Sequence, residues 1–175
     1  YEDFLYGACK VEHEDPVAAW EAVYESHERL INWLKGKQHL AVRGEHIHLD
    51  MSIAGRTFKN AGGKQNFPDG EIFTGPVEDS VNGWVRFTYP ASYQGNEVKG
   101  IELRFEDGLV VEAQAAANEP FLLATLDTDA GSRRLGEFAI GTNRDIQQFT
   151  GSILFDEKIG GTVHMAVGQG YGETG

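Results

Sequence analysis

Cysteine is nearly absent from this 175-residue chain: Cys9 stands alone, which excludes an internal disulfide and a cysteine-based zinc site. Positive charge is scarce too. Fifteen Lys and Arg face 27 Asp and Glu, a formal net charge of −12, which repels phosphate backbones and anionic lipid and argues against nucleic-acid and membrane-surface partners. Such a balance suits a cationic partner, a metal ion or a peptide ammonium, and it also serves plain solubility. No apolar run approaches the roughly 18 residues of a membrane span, and no charged-then-apolar leader opens the chain. The expected location is the cytoplasm. Proline is sparse at five residues, whereas glycine reaches 22, above the usual ~7%. Tight turns and close backbone approaches account for that excess without a phosphate loop.

What is present reads as an ordinary globular chain, 41% apolar and 24% charged, of a length that suits one domain or two small ones. The first residue is Tyr1, within an amphipathic run, and the last six, from Gly170 to Gly175, are loop-type sequence. A piece of a longer protein is expected.

One helix is well marked. Asp15 is a good N-cap, Pro16 fits the first helical position and Gly36 is a natural stop. Between them Val17, Trp20, Tyr24, His27, Leu30, Ile31 and Leu34 recur at helical spacing and predict one buried stripe. Strands and glycines follow. Residues 40–43 and 45–53 read as extended, Asn66-Phe67-Pro68-Asp69-Gly70 as a turn, and Glu71-Ile72-Phe73 as a strand directly after it. Val85, Phe87 and Tyr89 alternate with polar residues. Ile101, Leu103 and Phe105 do the same before Asp107-Gly108 turns the chain into Leu109-Val110-Val111, which predicts a hairpin. A short helix from Asn118 through Leu126 and strands over 135–140 and 162–167 complete the reading. The expected fold class is α+β: a mostly antiparallel sheet, open or barrel-like, with a few flanking helices.

Three ionisable residues sit alone on glycine-flanked apolar stretches. Glu71 lies between Gly70 and Ile72-Phe73, Glu137 within Leu135-Gly136-Glu137-Phe138-Ala139, and His164 within Gly160-Gly161-Thr162-Val163-His164-Met165. A carboxylate there must be exposed, paired, protonated or metal-bound, because burying it unpaired costs several kcal/mol. Pairing of Glu137 with Arg133 or Arg134 is the first alternative to metal ligation. Two carboxylates and an imidazole suit Zn, Mn or Co. His46, His48 and Asp50 share one face of a strand and resemble the metal-binding His-x-His of amidohydrolases. Those enzymes need a barrel of roughly 250 residues, so an exposed strand face is expected instead. Gly170 to Gly175 match G-x-G-x-x-G without the following helix that dinucleotide binding requires. Asp127-Thr128-Asp129-Ala130-Gly131 misplaces the glycine of a calcium loop, with Phe138 at the position of its last ligand. Ser80, Ser132 and Cys9 lack the context of a nucleophile.

Longer ordered segments carry a resemblance. Residues 52–56, 66–83, 126–129, 134–143 and 153–166 are similar, in the same order and without gaps, to the M29 metallo-aminopeptidases. The resemblance runs through the whole chain but implies only part of the family's architecture: a single catalytic domain, residues 1–175, without the family's N-terminal domain and without the final His-Trp-Asp segment that bears further ligands. It implies homodimeric peptidases with two divalent metal ions, Zn, Co or Mn, that remove amino-terminal residues from peptides through a metal-activated water. By the same resemblance Glu71, Glu137, His164 and Tyr171 are metal-site residues, with Glu137 bridging the metals or serving as general base and Tyr171 beside the reaction. His46 and His48 inherit no role. The alternatives are a non-catalytic peptide-binding or dimerising remnant, and a metal-independent glycosidase using Glu71 and Glu137 as an acid/base pair.

Overall fold

The computed structural model describes Tyr1–Gly175. It has four helices, α1 (Glu2–Ala8), α2 (Pro16–Leu34), α3 (Glu119–Leu126) and α4 (Ile153–Asp156). Its strands are β1 (His39–Gly44), β2 (Ile47–Ser52), β3 (Lys59–Ala61), β4 (Glu71–Thr74), β5 (Asn82–Arg86), β6 (Ala91–Tyr93), β7 (Asn96–Val98), β8 (Glu102–Glu106), β9 (Leu109–Gln114), β10 (Leu135–Gly141) and β11 (Val163–Val167). The ladders β1/β2, β2/β5, β5/β8, β8/β9, β3/β4 and β4/β10 are all antiparallel. This is the expected α+β class. The larger sheet runs β1-β2-β5-β8-β9 and leaves β1 and β9 as separate edges, so it is open rather than a barrel. No helix is long and apolar enough to cross a membrane.

The chain divides into two compact units. The first comprises Tyr1–Lys35, Thr57–Thr74 and Phe138–His164. Its long helix forms as the sequence predicts: the Asp15 carboxylate accepts from Ala18 N–H, Pro16 sits in the first turn, and Trp20, His27 and Leu34 are buried. Val17 departs from the predicted stripe. It is 68% exposed, in the first turn of the helix. The helix packs on β3 and β4, while Ala8, Ile146 and Ile159 form an apolar cluster against which Phe4 and Phe155 pack.

The second unit comprises Gly36–Arg56, Gly75–Glu137 and Met165–Gly175. Its core alternates with the strand pleat: Leu49 and Met51 of β2, Val85 of β5, and Leu103 and Phe105 of β8 are buried. The predicted hairpin is β8–β9, turned by Asp107 and Gly108 at φ 47° and 79°, the positive values its two-residue loop requires. The alternation over Val85, Phe87 and Tyr89 stops at Arg86, short of Pro90. A small hairpin, β6–β7, has its turn at Gln94-Gly95 and was not legible beforehand.

Candidate metal centre

Glu71 is the first residue of β4, placed opposite Gly141 of β10 and Ala61 of β3. The turn before it is pinned from several sides. Asp69 is fully buried, and its Oδ2 accepts the backbone N–H groups of Gly63, Lys64 and Gln65 at 2.8, 3.2 and 3.2 Å. Asn143 Nδ2 donates to the carbonyl of Asp69, and Gly70 N–H donates to that of Ala61. Gly70 holds φ 124°, and a Cβ there would lie 2.7 Å from Asn143 Cβ. Only glycine lets the chain enter β4 this way.

The Glu71 side chain is 7% exposed and meets two cationic or polar partners, each through one oxygen. Oε1 lies 2.8 Å from Lys158 Nζ, and Oε2 lies 3.0 Å from His164 Nε2. Burial pushes the carboxyl up, but the hydrogen bond from His164 and the charge and hydrogen bond of Lys158 outweigh it and hold Glu71 below its ordinary range. Lys158, 1% exposed, shows the mirror effect: burial works against its charge, while Glu71 and Glu157 raise it above the usual lysine value. His164 is the second residue of β11 and is partly buried.

Glu137 is the third residue of β10. One ligand atom each from Glu71, Glu137 and His164 lies within 4.8 Å of the others. The three residues singled out in the sequence are therefore brought together. A divalent ion with bonds of about 2.0–2.2 Å holds neighbouring ligand atoms roughly 3.0–3.5 Å apart, so the 3.0 Å between Glu71 and His164 is already a ligand–ligand distance. Two carboxylate oxygens and an imidazole nitrogen are a donor set that Zn, Mn or Co accepts, and three protein ligands leave a position open. The residues present fit a divalent cation.

Several other candidates engage groups of their own. Arg133 forks onto Asp127, and Arg134 donates to the carbonyls of Glu78 and Asp107, so both arginines offered as partners for Glu137 engage other groups. Asp50 is gripped by Arg43 Nη2 at 2.7 and 2.9 Å, with His39 Nε2 at 3.2 Å; His48 and Asp50 lie on β2, whereas His46 falls in the β1–β2 turn and not on the expected strand. Asp129 closes a turn by accepting from Gly131 and Ser132 N–H. Tyr171 is 61% exposed and precedes a 3-10 turn, Gly172–Thr174, whose Thr174 donates to its carbonyl. Lys158 was not anticipated. Its only signal was a lysine directly between Glu157 and the apolar Ile159.

Comparison with known proteins places the chain. The sequence model of a family described as thermophilic metalloprotease (M29) matches residues 1–175. Aminopeptidase T of Thermus aquaticus is 34% identical over an alignment covering 97% of this chain and 45% of that protein. Aminopeptidase 2 of Geobacillus stearothermophilus is 32% identical, covering 95% and 44%. The solved structure of wild-type AmpT from Thermus thermophilus superposes with a TM-score of 0.81 at 35% identity, over 91% of this chain and 43% of that one. The chain thus spans a little under half the length of the relatives it matches.

Proposed function

We propose that this chain, which belongs to the thermophilic metalloproteases of family M29, carries metal-site residues of an aminopeptidase that releases amino-terminal residues from peptides. What supports the reading is the meeting of Glu71, Glu137 and His164 in a chain whose relatives are named aminopeptidases. Glu71 and His164 would hold the cation, with Glu137 as the third ligand and Tyr171 beside them. A divalent ion bound there supplies an acidified water and polarises the scissile carbonyl. Glu137 takes the proton from the attacking water and returns it to the leaving amine. The Tyr171 hydroxyl donates to the developing oxyanion. The full assignment is two ions, Zn, Co or Mn, in a homodimeric cytoplasmic protein acting on peptides with free amino termini. Residues 1–175 correspond in this reading to the family's catalytic domain.

Metal content after dialysis and hydrolysis of amino-acid arylamides test the assignment, with Glu137→Gln as the control. The wild-type chain is expected to retain a divalent ion and release amines, and the variant to lose kcat by roughly 10²–10⁴-fold. Full activity in Glu137→Gln removes the role given to that residue. Tight peptide binding without turnover at any added metal turns the reading into a binding remnant.

A further inference from the structure

Lys158 takes no part in the chemistry above, yet its ammonium sits against the carboxylate proposed as a ligand. An ammonium this buried persists only where its charge is matched. Two carboxylates match it, Glu71 at 2.8 Å and Glu157 at 3.0 Å. Its backbone is fixed as firmly. The segment after α4 turns so that Lys158 N–H donates to the Phe155 carbonyl, and the Lys158 carbonyl accepts Asn143 N–H. Asn143 also holds the Asp69 carbonyl in the turn that delivers Glu71. One asparagine therefore ties together the backbones that carry the carboxylate and the ammonium. The outcome is a division of labour within Glu71, with Oε1 committed to lysine and Oε2 facing His164.

We propose that Lys158 is a positioning residue for the cation site. Its ammonium holds Oε1, so Glu71 meets a divalent ion through Oε2 alone, and it compensates the carboxylate's charge whenever no ion is bound. The proposal rests on the metal reading of Glu71 and His164. A purely structural ion pair would have the same distances, but its contribution would not depend on metal. A positioning cation competes electrostatically with the ion it prepares for, so its loss must change how strongly zinc binds.

The test compares the wild-type chain, Lys158→Met and the double variant Glu71→Gln/Lys158→Met after chelation and dialysis. Tm is read with and without saturating zinc chloride, and the zinc Kd by competition with a fluorescent chelator. Without zinc, Lys158→Met is expected to melt lower, because the buried Glu71 loses its ammonium partner and keeps only His164. With zinc it recovers more than the wild type gains, and Kd tightens at least tenfold, a Tm increment of roughly 3–5 °C. The double variant carries neither charge, so it melts close to the metal-free wild type and loses the zinc increment. Should Lys158→Met fold only in zinc, that dependence beside a folded double variant supports the same conclusion. An equal Tm deficit with and without zinc, at unchanged Kd, overturns the proposal and leaves Lys158 a structural partner. A wild type that gains nothing from zinc, with no gain in either variant, overturns the metal reading itself and Lys158's role with it. The two failures are distinguishable, since only the first leaves a zinc-responsive wild type.

Discussion

His27 illustrates how one side chain can set the acid response of a fold. It is buried on α2, with Nδ1 2.8 Å from Asn60 Oδ1 and Nε2 2.7 Å from Thr142 Oγ1. Asn60 Nδ2 donates to the Tyr24 carbonyl and to Glu28, which fixes its amide so that Oδ1 can only accept from the ring. The proton therefore sits on Nδ1, and Nε2 accepts from the Thr142 hydroxyl. Burial pushes His27 below its ordinary value of 6.5, against the opposing pull of the Asn60 hydrogen bond and of Asp69, Glu28 and Glu71. The unfolded chain then takes up a proton at a higher pH than the folded one. Stability is full above pH 6.5 and declines as pH falls from there towards the lowered native value, by at most about 1.4 kcal/mol per pH unit. Urea midpoints of wild type and His27→Gln at pH 7.5 and 5.5 check this: the wild type should lose more on acidification. Equal losses would mean the burial does not govern the titration. At this scale much of the site was legible, because Glu71, Glu137 and His164 each stood alone among apolar residues, and solitary charges need an explanation. Lys158 was not legible, because a lysine beside Glu157 reads as a surface pair until folding brings Glu71 to it.

At the scale of elements, the helix α2 was readable to its caps, since Asp15, Pro16 and Gly36 act locally. The β8–β9 hairpin was readable for the same reason. Short strands such as β3 and β6 were not, because three residues carry no periodicity and pairing across the sheet defines them. The glycines of β10 had a visible presence and a hidden purpose. A Cβ on Gly136 would stand 2.4 Å from the Gly168 carbonyl oxygen and 2.9 Å from Gly170 N. The strand bearing Glu137 thus lies backbone to backbone against the segment leading to Tyr171, tied by the Gly168 N–H to Arg134 carbonyl bond at 2.8 Å. Gly136→Ala forces one of them aside, and a destabilisation of about 1–3 kcal/mol is expected, with a fall in activity beyond what stability explains. Gly7, late in α1, has nothing within 4 Å of its missing Cβ, so Gly7→Ala should be neutral or stabilise by up to about 0.5 kcal/mol. Denaturation curves for the two variants give the comparison, and similar effects from both would remove the argument for close approach.

At the scale of the molecule, the deficit of positive charge visible in the composition becomes a property of every encounter. A net charge of −12 creates a negative potential that concentrates cations near the surface and is screened over a Debye length of about 10 Å at 0.1 M salt. Under the proposed function, a peptide with a free amino terminus arrives with that charge leading, so attraction should lower KM at low ionic strength, whereas the chemical step happens after binding and feels the bulk field little. For a leucine arylamide, kcat/KM is expected to fall several-fold between 20 and 500 mM NaCl, on the order expected for screened steering, with kcat nearly constant. A lysine arylamide carries a second positive charge and should show the steeper decline. Steady-state kinetics over that salt range, with zinc held saturating so that metal loss does not enter, separates this from a weakened site. If kcat falls in step with kcat/KM, salt is acting on the catalytic groups, and if neither moves, the acidic surface contributes to solubility without drawing the substrate in.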